Sequence, residues 1–347
     1  MAKLDDEYIE VINQTRQLLD SNREWIDRYR NYIQKINDIR EQLKKARQAF
    51  YVPKPLKLYM PISKAMNSVF NLRFCGQDVA DLKINTYNEV SIHFNKKARN
   101  IKKARDIFAL MSNEDKVYFE NLEDKFYPWT GEEANRFRKI VKAFPIEKLC
   151  GQPEHKLESD LLDNYLQKSS QGKEILNIQP ITMLKCSGFF QMPTPLKASN
   201  AKSGSIEYSA ANGGGIDILA RIGRGTTHLA IIELKDKYEK NEPPEKAICQ
   251  AIAYATFIRE LLRSESGEKW WEFFEFRSGI PKSLKLFAII AMPNSENANR
   301  DFVYTCNPNA INLSLGEDDK LELGYIYLKN EGLQQEISEN LPLKSNI

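Results

Sequence analysis

Hydrophobic residues recur at a helical spacing over the first fifty residues of the chain. Residues 4–50 contain neither proline nor glycine, and nine of the thirteen heptad positions between Tyr8 and Phe50 are apolar. This pattern predicts one long amphipathic helix or a helical hairpin over residues 1–50. Its apolar seam either packs against the rest of the same chain or forms a coiled coil that joins two copies into a homodimer.

The pattern changes over the next hundred residues. Three prolines within residues 51–61 end the helical periodicity, and residues 51–150 predict a mixed accessory region of short strands and helices. Within it, KKARNIKKAR at residues 96–105 places six basic side chains in ten positions. These side chains form either a solvated helix face or a surface that contacts nucleic-acid phosphates.

From residue 151 onward, strands alternate with helices. The pattern predicts a helix over EHKLESDLLDNYLQ, strands in ITMLKCSGFFQM, a hairpin within residues 213–238, a second helix over EKAICQAIAYATFIRELLR and a strand at LKLFAIIAMP. This order of elements is typical of an α/β domain whose central mixed β-sheet is flanked by helices. We assign residues 151–347 to this domain.

Composition narrows the class of protein. The 50 Lys and Arg residues nearly balance the 47 Asp and Glu residues, so the net charge of +3 identifies no partner. Five widely spaced cysteines without a CxxC pair argue against a disulfide framework and a structural zinc site. No apolar run approaches the ~20 residues of a membrane span, and the first ten residues lack a signal-peptide core. We therefore expect a soluble, cytoplasmic protein without a membrane partner.

The apolar hairpin carries charged residues near one end. If its strands pair around Gly225, Asp217 lies directly opposite Glu233. Lys235 projects from the same face as Glu233, because side chains alternate along a strand. Opposed carboxylates repel unless a cation lies between them, and Mg²⁺ and Mn²⁺ prefer such oxygen ligands. A register shift of one residue would remove this site. The alternative is a charged network in which Lys235 only neutralises the two acids.

Two helices carry polar residues on or beside apolar faces. On the helix wheel of EHKLESDLLDNYLQ, Glu158 falls inside the apolar stripe, where a carboxylate is costly unless it is paired, protonated or used by a metal site. Gln250 and Tyr254, four residues apart, share one face of the later helix. They either take part in polar chemistry nearby or form a self-contained hydrogen-bonded pair.

The order of these residues resembles that of the PD-(D/E)XK nuclease superfamily. The matching motifs are ESD around Glu158, GGGIDIL around Asp217, ELK from Glu233 to Lys235, and QAIAY from Gln250 to Tyr254. The last motif, of the form QxxxY, is most similar to the branch that includes phage-recombination exonucleases. The match covers residues 151–293 and leaves the first 150 residues unexplained. One departure is Ile216, which stands where the family name has proline.

The resemblance implies a fold, a reaction and a cofactor. The fold is a restriction-endonuclease-like core, and the reaction is hydrolysis of phosphodiester bonds in nucleic acid, with DNA the expected substrate. The cofactor is Mg²⁺ or Mn²⁺. In the family pattern, Asp217, Glu233 and the backbone carbonyl of Leu234 would bind the metal ion, and Glu158 would assist directly or through water.

The remaining motif residues receive supporting roles from the same resemblance. Lys235 would position the nucleophilic water, while Gln250 and Tyr254 would orient the site or the phosphate backbone. The sequence contains neither a GxSxG elbow nor a Walker loop, which argues against two other classes of enzyme. We expect a nuclease of restriction, defence or repair. One alternative is a catalytically silent nucleic-acid-binding or assembly protein that retains the nuclease fold. Another is a coiled-coil interaction protein whose α/β part is only structural.

Overall fold

The fold is that of a computed structural model of the 347-residue chain. The structure describes residues 2–46, 52, 56–60, 69–74, 77–94, 111–143, 153–166, 177–184, 187–198, 206–211, 213–223, 226–235, 244–293, 312–329 and 334–337. The basic run at residues 96–105 lies outside the described residues.

Helices and strands alternate through most of the described chain. The helices are α1 (Ala2–Ser21), α2 (Glu24–Ala46), α3 (Asn113–Glu120), α4 (Glu132–Ala143), α5 (Pro153–Leu166), α6 (Pro244–Leu262) and α7 (Gly267–Phe273). The strands are β1 (Lys57–Met60), β2 (Val69–Phe74), β3 (Gln77–Ile84), β4 (Val90–Phe94), β5 (Tyr127–Pro128), β6 (Ile178–Pro180), β7 (Thr182–Leu184), β8 (Ser187–Phe190), β9 (Leu196–Lys197), β10 (Glu207–Tyr208), β11 (Ile218–Ile222), β12 (His228–Leu234), β13 (Lys285–Pro293), β14 (Asn312–Ser314), β15 (Lys320–Lys329) and β16 (Gln334–Ile337). The expected mixed α/β fold with a helical amino terminus is confirmed.

The amino-terminal seam is covered by the protein's own chain. The heptad pattern forms two helices, α1 and α2, separated by a short turn at residues 22–23. Most seam side chains are buried: Tyr8, Ile12, Thr15, Leu19, Tyr29, Ile33, Ile36 and Leu43. Helix α1 packs along α6, and Trp25 and Tyr29 of α2 make edge-to-face ring contacts with Phe257 of α6. Packing within one chain is the first of the two alternatives that the heptad pattern left open.

The chain divides into two compact units. The first contains Met1–Gln34, Asp160–Ile181 and Gln191–Ile347, and the second contains Lys35–Ser159 and Thr182–Phe190. Residues 1–34 therefore share a unit with residues 191–347. The sequence-based division at residues 50 and 150 does not anticipate this grouping.

The second unit contains a sheet of seven strands in the order β5-β4-β3-β2-β1-β8-β7. Strands β2 and β4 alternate half-buried and buried positions, which is the pattern of a sheet with one face against a core. All neighbouring strands in it pair antiparallel except β1 and β8, which run parallel. The short strands expected after residue 51 are thus present.

The first unit contains a mixed sheet in the order β14-β15-β13-β12-β11-β6, with β16 also paired to β15. Strand β12 pairs antiparallel with β11 and parallel with β13. The sequence of β12, HLAIIEL, is almost continuously apolar and buried, as expected for a strand covered on both faces. Parallel neighbours require a crossover, and α6 provides it and packs against both β12 and β13. None of the helices in the described ranges combines the length and apolar character that a membrane crossing requires.

Candidate metal centre

The hairpin of β11 and β12 has the register predicted from the sequence. Ile222 lies opposite His228, and Ile218 lies opposite Ile232. Asp217 directly precedes β11, so the same register places it across from Glu233. The backbone N–H of Asp217 donates a hydrogen bond to Glu233 Oε1, with an N···O distance of 3.4 Å. The two acidic residues therefore meet at one end of the hairpin.

The Asp217 carboxylate is held against the end of β12. Its Oδ2 atom accepts a hydrogen bond of 2.9 Å from the backbone N–H of Leu234, the last residue of that strand. Asp217 remains half-buried, so one side of the pair borders the protein surface. This contact fixes the orientation of the Asp217 side chain relative to Glu233.

Glu233 occupies an unfavourable environment for a charged group. Its side chain is fully buried, at 0% exposure. Among the described residues, its Oε2 atom has no hydrogen-bond partner. Burial raises the pKa of the Glu233 carboxyl well above its usual range, the Asp217 charge raises it further, and Lys235 opposes the shift. A buried acid with an unpartnered oxygen is costly unless something positive or a proton satisfies it.

Lys235 and the two polar residues of α6 form a connected group beside the carboxylates. Lys235 Nζ donates a hydrogen bond of 3.1 Å to Gln250 Oε1. Gln250 and Tyr254 are both buried on α6, one turn apart on the same face. Burial raises the pKa of the Tyr254 phenol, and so does the nearby Glu233 charge. The phenol therefore keeps its proton.

The glycines before Asp217 permit a close backbone approach to the protein itself. A Cβ atom on Gly214 would lie 2.0 Å from the Tyr254 hydroxyl oxygen, and one on Gly213 would lie 2.1 Å from the Thr194 carbonyl oxygen. Residues 192–198, here called the covering segment, therefore lie directly against residues 213–216, here called the glycine segment. Any larger residue at positions 213 or 214 would displace one of these contacts.

Glu158 is buried, as its position on the helix wheel predicts, and has partners of its own. It is 4% exposed on α5. Its Oε1 atom accepts a hydrogen bond of 3.0 Å from the Tyr59 hydroxyl and lies 3.9 Å from Arg73 Nη1. These three residues all belong to the second unit, whereas Asp217 and Glu233 belong to the first. The role of Glu158 at a metal site stays a prediction.

The donor atoms at the hairpin end fit a hard cation. The two carboxylates offer oxygen ligands, which are what Mg²⁺ and Mn²⁺ prefer. The unpartnered Oε2 atom of Glu233 is available for such an ion. Across the described ranges, no group of three or more His, Cys, Asp or Glu side chains is arranged to hold a metal ion. A metal ion here would therefore depend on Asp217 and Glu233 and complete its shell with backbone oxygen and water.

Two features of the first unit were missed by sequence reasoning. One is the covering segment, whose sequence MPTPLKA contains two prolines and carries no strand-like alternation. The other is a buried charge cluster in the first unit, formed by Asp319 with Arg259 and Arg263. Arg259 lies on the mostly apolar α6, and a basic residue on such a helix is a local signal of a buried acidic partner. Comparisons with protein-family models, with curated proteins and with solved structures found no match to this chain.

Proposed function

We propose that the protein is a divalent-metal-dependent nuclease that hydrolyses phosphodiester bonds in DNA. The observation that carries this proposal is the pair formed by Asp217 and Glu233. Two acids face each other across a hairpin, and the buried one leaves an oxygen without a partner among the described residues. A buried polar atom without a partner needs an explanation, and a cation held between the two acids would supply one.

The order of elements gives further support to a restriction-endonuclease-like core. Glu158 is on a helix, Asp217 directly precedes a strand, Glu233 is near the end of the next strand, and the QxxxY residues are on the following helix. This is the order that the resemblance to PD-(D/E)XK nucleases requires. Without a matching family or structure, that core is our proposal.

Asp217, Glu233 and the Leu234 carbonyl would hold Mg²⁺ or Mn²⁺. A bound ion would lower the pKa of the water that it holds. It would also stabilise the negative charge on the phosphoryl group. The register of β11 and β12 keeps the two carboxylates together, and the Leu234 N–H orients Asp217. These contacts thus hold the two carboxyl groups in a fixed position at one end of the hairpin.

Lys235 would hold the attacking water or offset negative charge on the phosphoryl group. Its ammonium group is kept beside the carboxylates by the hydrogen bond to Gln250 Oε1. Tyr254 retains its proton because burial and the Glu233 charge raise the pKa of its phenol. It is buried against Gly214 and would orient the site from α6. No covalent nucleophile is needed for this reaction.

The proposal is tested by single substitutions assayed on several forms of nucleic acid. Glu233→Ala and Lys235→Ala are compared with Glu272→Ala and Lys269→Ala, which remove exposed groups of the same charge on α7. We expect cleavage of DNA in Mg²⁺ or Mn²⁺ that disappears in EDTA. Lys235→Ala should lose about 10²–10³-fold in rate, Glu233→Ala should fall to background, and both controls should stay active. Undiminished cleavage by folded Glu233→Ala and Lys235→Ala would refute the proposal.

One observation favours a second function, that of a catalytically silent nucleic-acid-binding protein. Glu233 has no exposed surface, which restricts access to the pair. Duplex DNA, single-stranded DNA and RNA that shift in a gel but stay intact in both Mg²⁺ and Mn²⁺ would support this alternative. Cleavage that depends on Glu233 would exclude it.

A further inference from the structure

Three backbone hydrogen bonds hold the glycine segment against the covering segment. Thr194 N–H donates to Gly214 O at 2.8 Å, Gly214 N–H donates to Leu196 O at 2.5 Å, and Ile216 N–H donates to the carbonyl of residue 192 at 2.9 Å. An isolated β-bridge joins Pro193 to Gly215. Asp217 follows this pairing directly. The position of its backbone therefore depends on where the covering segment lies.

The covering segment is in turn attached to the second helix. The Tyr29 hydroxyl donates a hydrogen bond of 2.7 Å to the carbonyl oxygen of Pro193. Burial raises the pKa of the Tyr29 phenol well above its usual range, so the proton needed for donation is retained. Pro193 has no N–H to donate and binds the glycine segment through its bridge to Gly215. Tyr29 therefore contacts the covering segment, which in turn pairs with the residues that precede Asp217.

The neighbouring residue of α2 holds the chain that leads into the glycine segment. Arg28 Nη1 donates to the carbonyl oxygens of Ala210 at 2.5 Å and Ser209 at 3.4 Å. Ser209 N–H also donates to the carbonyl oxygen of Pro195. Tyr29 therefore holds the covering segment, and Arg28 holds residues 209–210, which lead into the glycine segment. The pairing of these two segments ends at Asp217.

The helix that carries these two residues is packed against the helix that carries the QxxxY motif. The Tyr29 ring lies 4.9 Å from that of Phe257 and 6.1 Å from that of Trp270, centroid to centroid. Phe257 is three residues after Tyr254 on α6. This buried aromatic cluster packs α2 rigidly against α6, because aromatic side chains bury large areas in defined geometries. The cluster therefore fixes the position of Tyr254 and, through Tyr29, that of the covering segment.

We propose that Arg28 and Tyr29 are positioning residues of the candidate metal centre: they fix the covering and glycine segments so that Asp217 stays opposite Glu233. This inference rests on the proposed function. It also assigns a role to the amino-terminal helices, which the resemblance to a nuclease leaves unexplained. Neither residue touches the reacting groups; both act through backbone carbonyls.

The test removes one hydroxyl group from the full-length protein. Tyr29→Phe keeps the ring in the aromatic cluster and deletes the bond to Pro193. Tyr32→Phe, one turn further along the same helix, is the matched control. Two quantities are measured well below the unfolding temperature: hydrogen exchange of peptides covering residues 192–198 and 213–217, and Mn²⁺ affinity from the electron paramagnetic resonance of free Mn²⁺.

We expect faster exchange in both peptides and about tenfold weaker Mn²⁺ binding in Tyr29→Phe, in the range typical for loss of a group that orients metal ligands. Tyr32→Phe should match the wild type in both measurements. A merely structural role of Tyr29 would lower the stability of the fold without changing the Mn²⁺ affinity of the folded protein or the exchange of these two peptides in particular.

A second pair of variants covers the case in which Tyr29→Phe does not fold. Arg28→Met should weaken Mn²⁺ binding, and Arg28→Lys should restore it, because an ammonium group can still donate to the Ala210 carbonyl. Wild-type Mn²⁺ affinity and unchanged exchange in both Tyr29→Phe and Arg28→Met would overturn the positioning role alone. A wild-type protein that binds no Mn²⁺ would overturn the proposed function and this inference with it.

Discussion

Glu233 and Asp319 are two buried carboxylates of the same unit with opposite surroundings. Asp319, at 1% exposure, directly precedes β15. Its Oδ2 atom accepts from Arg259 Nε at 2.8 Å and Arg263 Nε at 2.9 Å, and its Oδ1 atom accepts from Arg263 Nη2 and the Leu284 N–H. Glu233 faces a second acid and has an oxygen with no partner among the described residues.

The ionisation of the two groups follows from these surroundings. Burial disfavours the charge of Asp319, but hydrogen bonds from Arg263, the Leu284 N–H and Arg259 outweigh it and lower its pKa. Burial and Asp217 raise the pKa of Glu233. A buried acid with all its partners supports the fold, whereas one placed against another acid lowers stability and requires another reason to be there. The following predictions test that difference, beginning with the largest expected effect.

Asp319→Ala should cost the most stability. It leaves the buried Arg259 and the half-buried Arg263 without their shared carboxylate, a loss of about 3–5 kcal/mol in the free energy of unfolding for a broken buried pair. Urea denaturation measures the change, and Asp318→Ala, which removes the exposed neighbouring acid, is the control. In the wild type, the Asp319 contribution is present above the unfolded-state pKa of about 3.9 and is lost as pH falls through the lowered folded-state pKa. Equal stability of the two variants would contradict the structural role of Asp319.

Mg²⁺ should stabilise the wild type through the other pair. At a concentration one hundred times Kd, a ligand specific for the folded state adds about 2.7 kcal/mol. Thermal unfolding with and without Mg²⁺ measures this gain, which we expect to disappear in Asp217→Asn and to persist in Asp318→Asn. A gain of the same size in Asp217→Asn would place the ion elsewhere.

Glu233→Gln should raise stability at neutral pH by less than the loss in Asp319→Ala. The amide carries no charge to bury, and its NH₂ group can donate to Asp217. Because the folded-state pKa of Glu233 is raised, wild-type stability falls as pH rises from about 4.3 through the folded-state pKa. The advantage of Glu233→Gln should therefore be absent at pH 4 and grow above it. Chemical denaturation across this pH range decides the sign, and a variant less stable than wild type at pH 7 would contradict it.

Glu158→Gln should have the smallest effect on stability, less than about 1 kcal/mol, because the amide oxygen can still accept from the Tyr59 hydroxyl. If Glu158 assists the metal, cleavage should nonetheless fall about 10–100-fold. Glu120→Gln, at an exposed position of the second unit, is the control for both measurements. Full activity in Glu158→Gln would show that Glu158 does not assist the metal, with Asp217 and Glu233 as the acidic ligands.

The sequence predicts the parts of the fold that depend on local pattern. Alternation and a glycine-containing turn are enough to place Asp217 opposite Glu233, because a hairpin brings residues close in sequence together. The helical spacing of Gln250 and Tyr254, and the burial of Glu158, follow from the same kind of argument. These features needed no knowledge of distant contacts.

Contacts between distant segments could not be predicted. Tyr59 and Glu158 are separated by 99 residues, and Tyr29 and Pro193 by 164. Strand β15 pairs with β13, although nothing in its own sequence specifies that neighbour, since strand pairing depends on tertiary packing. The partners of Glu158 and the attachment of the covering segment are therefore visible only in the folded chain.

We propose that the two opposed acids bind one divalent cation. A crystal of the wild-type protein soaked in Mn²⁺ tests this most directly, by anomalous diffraction at the manganese absorption edge. We predict a peak between the Asp217 and Glu233 carboxylates, at about 2.0–2.2 Å from their oxygens, and no peak there in a matched Asp217→Asn crystal. A wild-type crystal without density at that position, under conditions in which the protein cleaves DNA, would contradict the account.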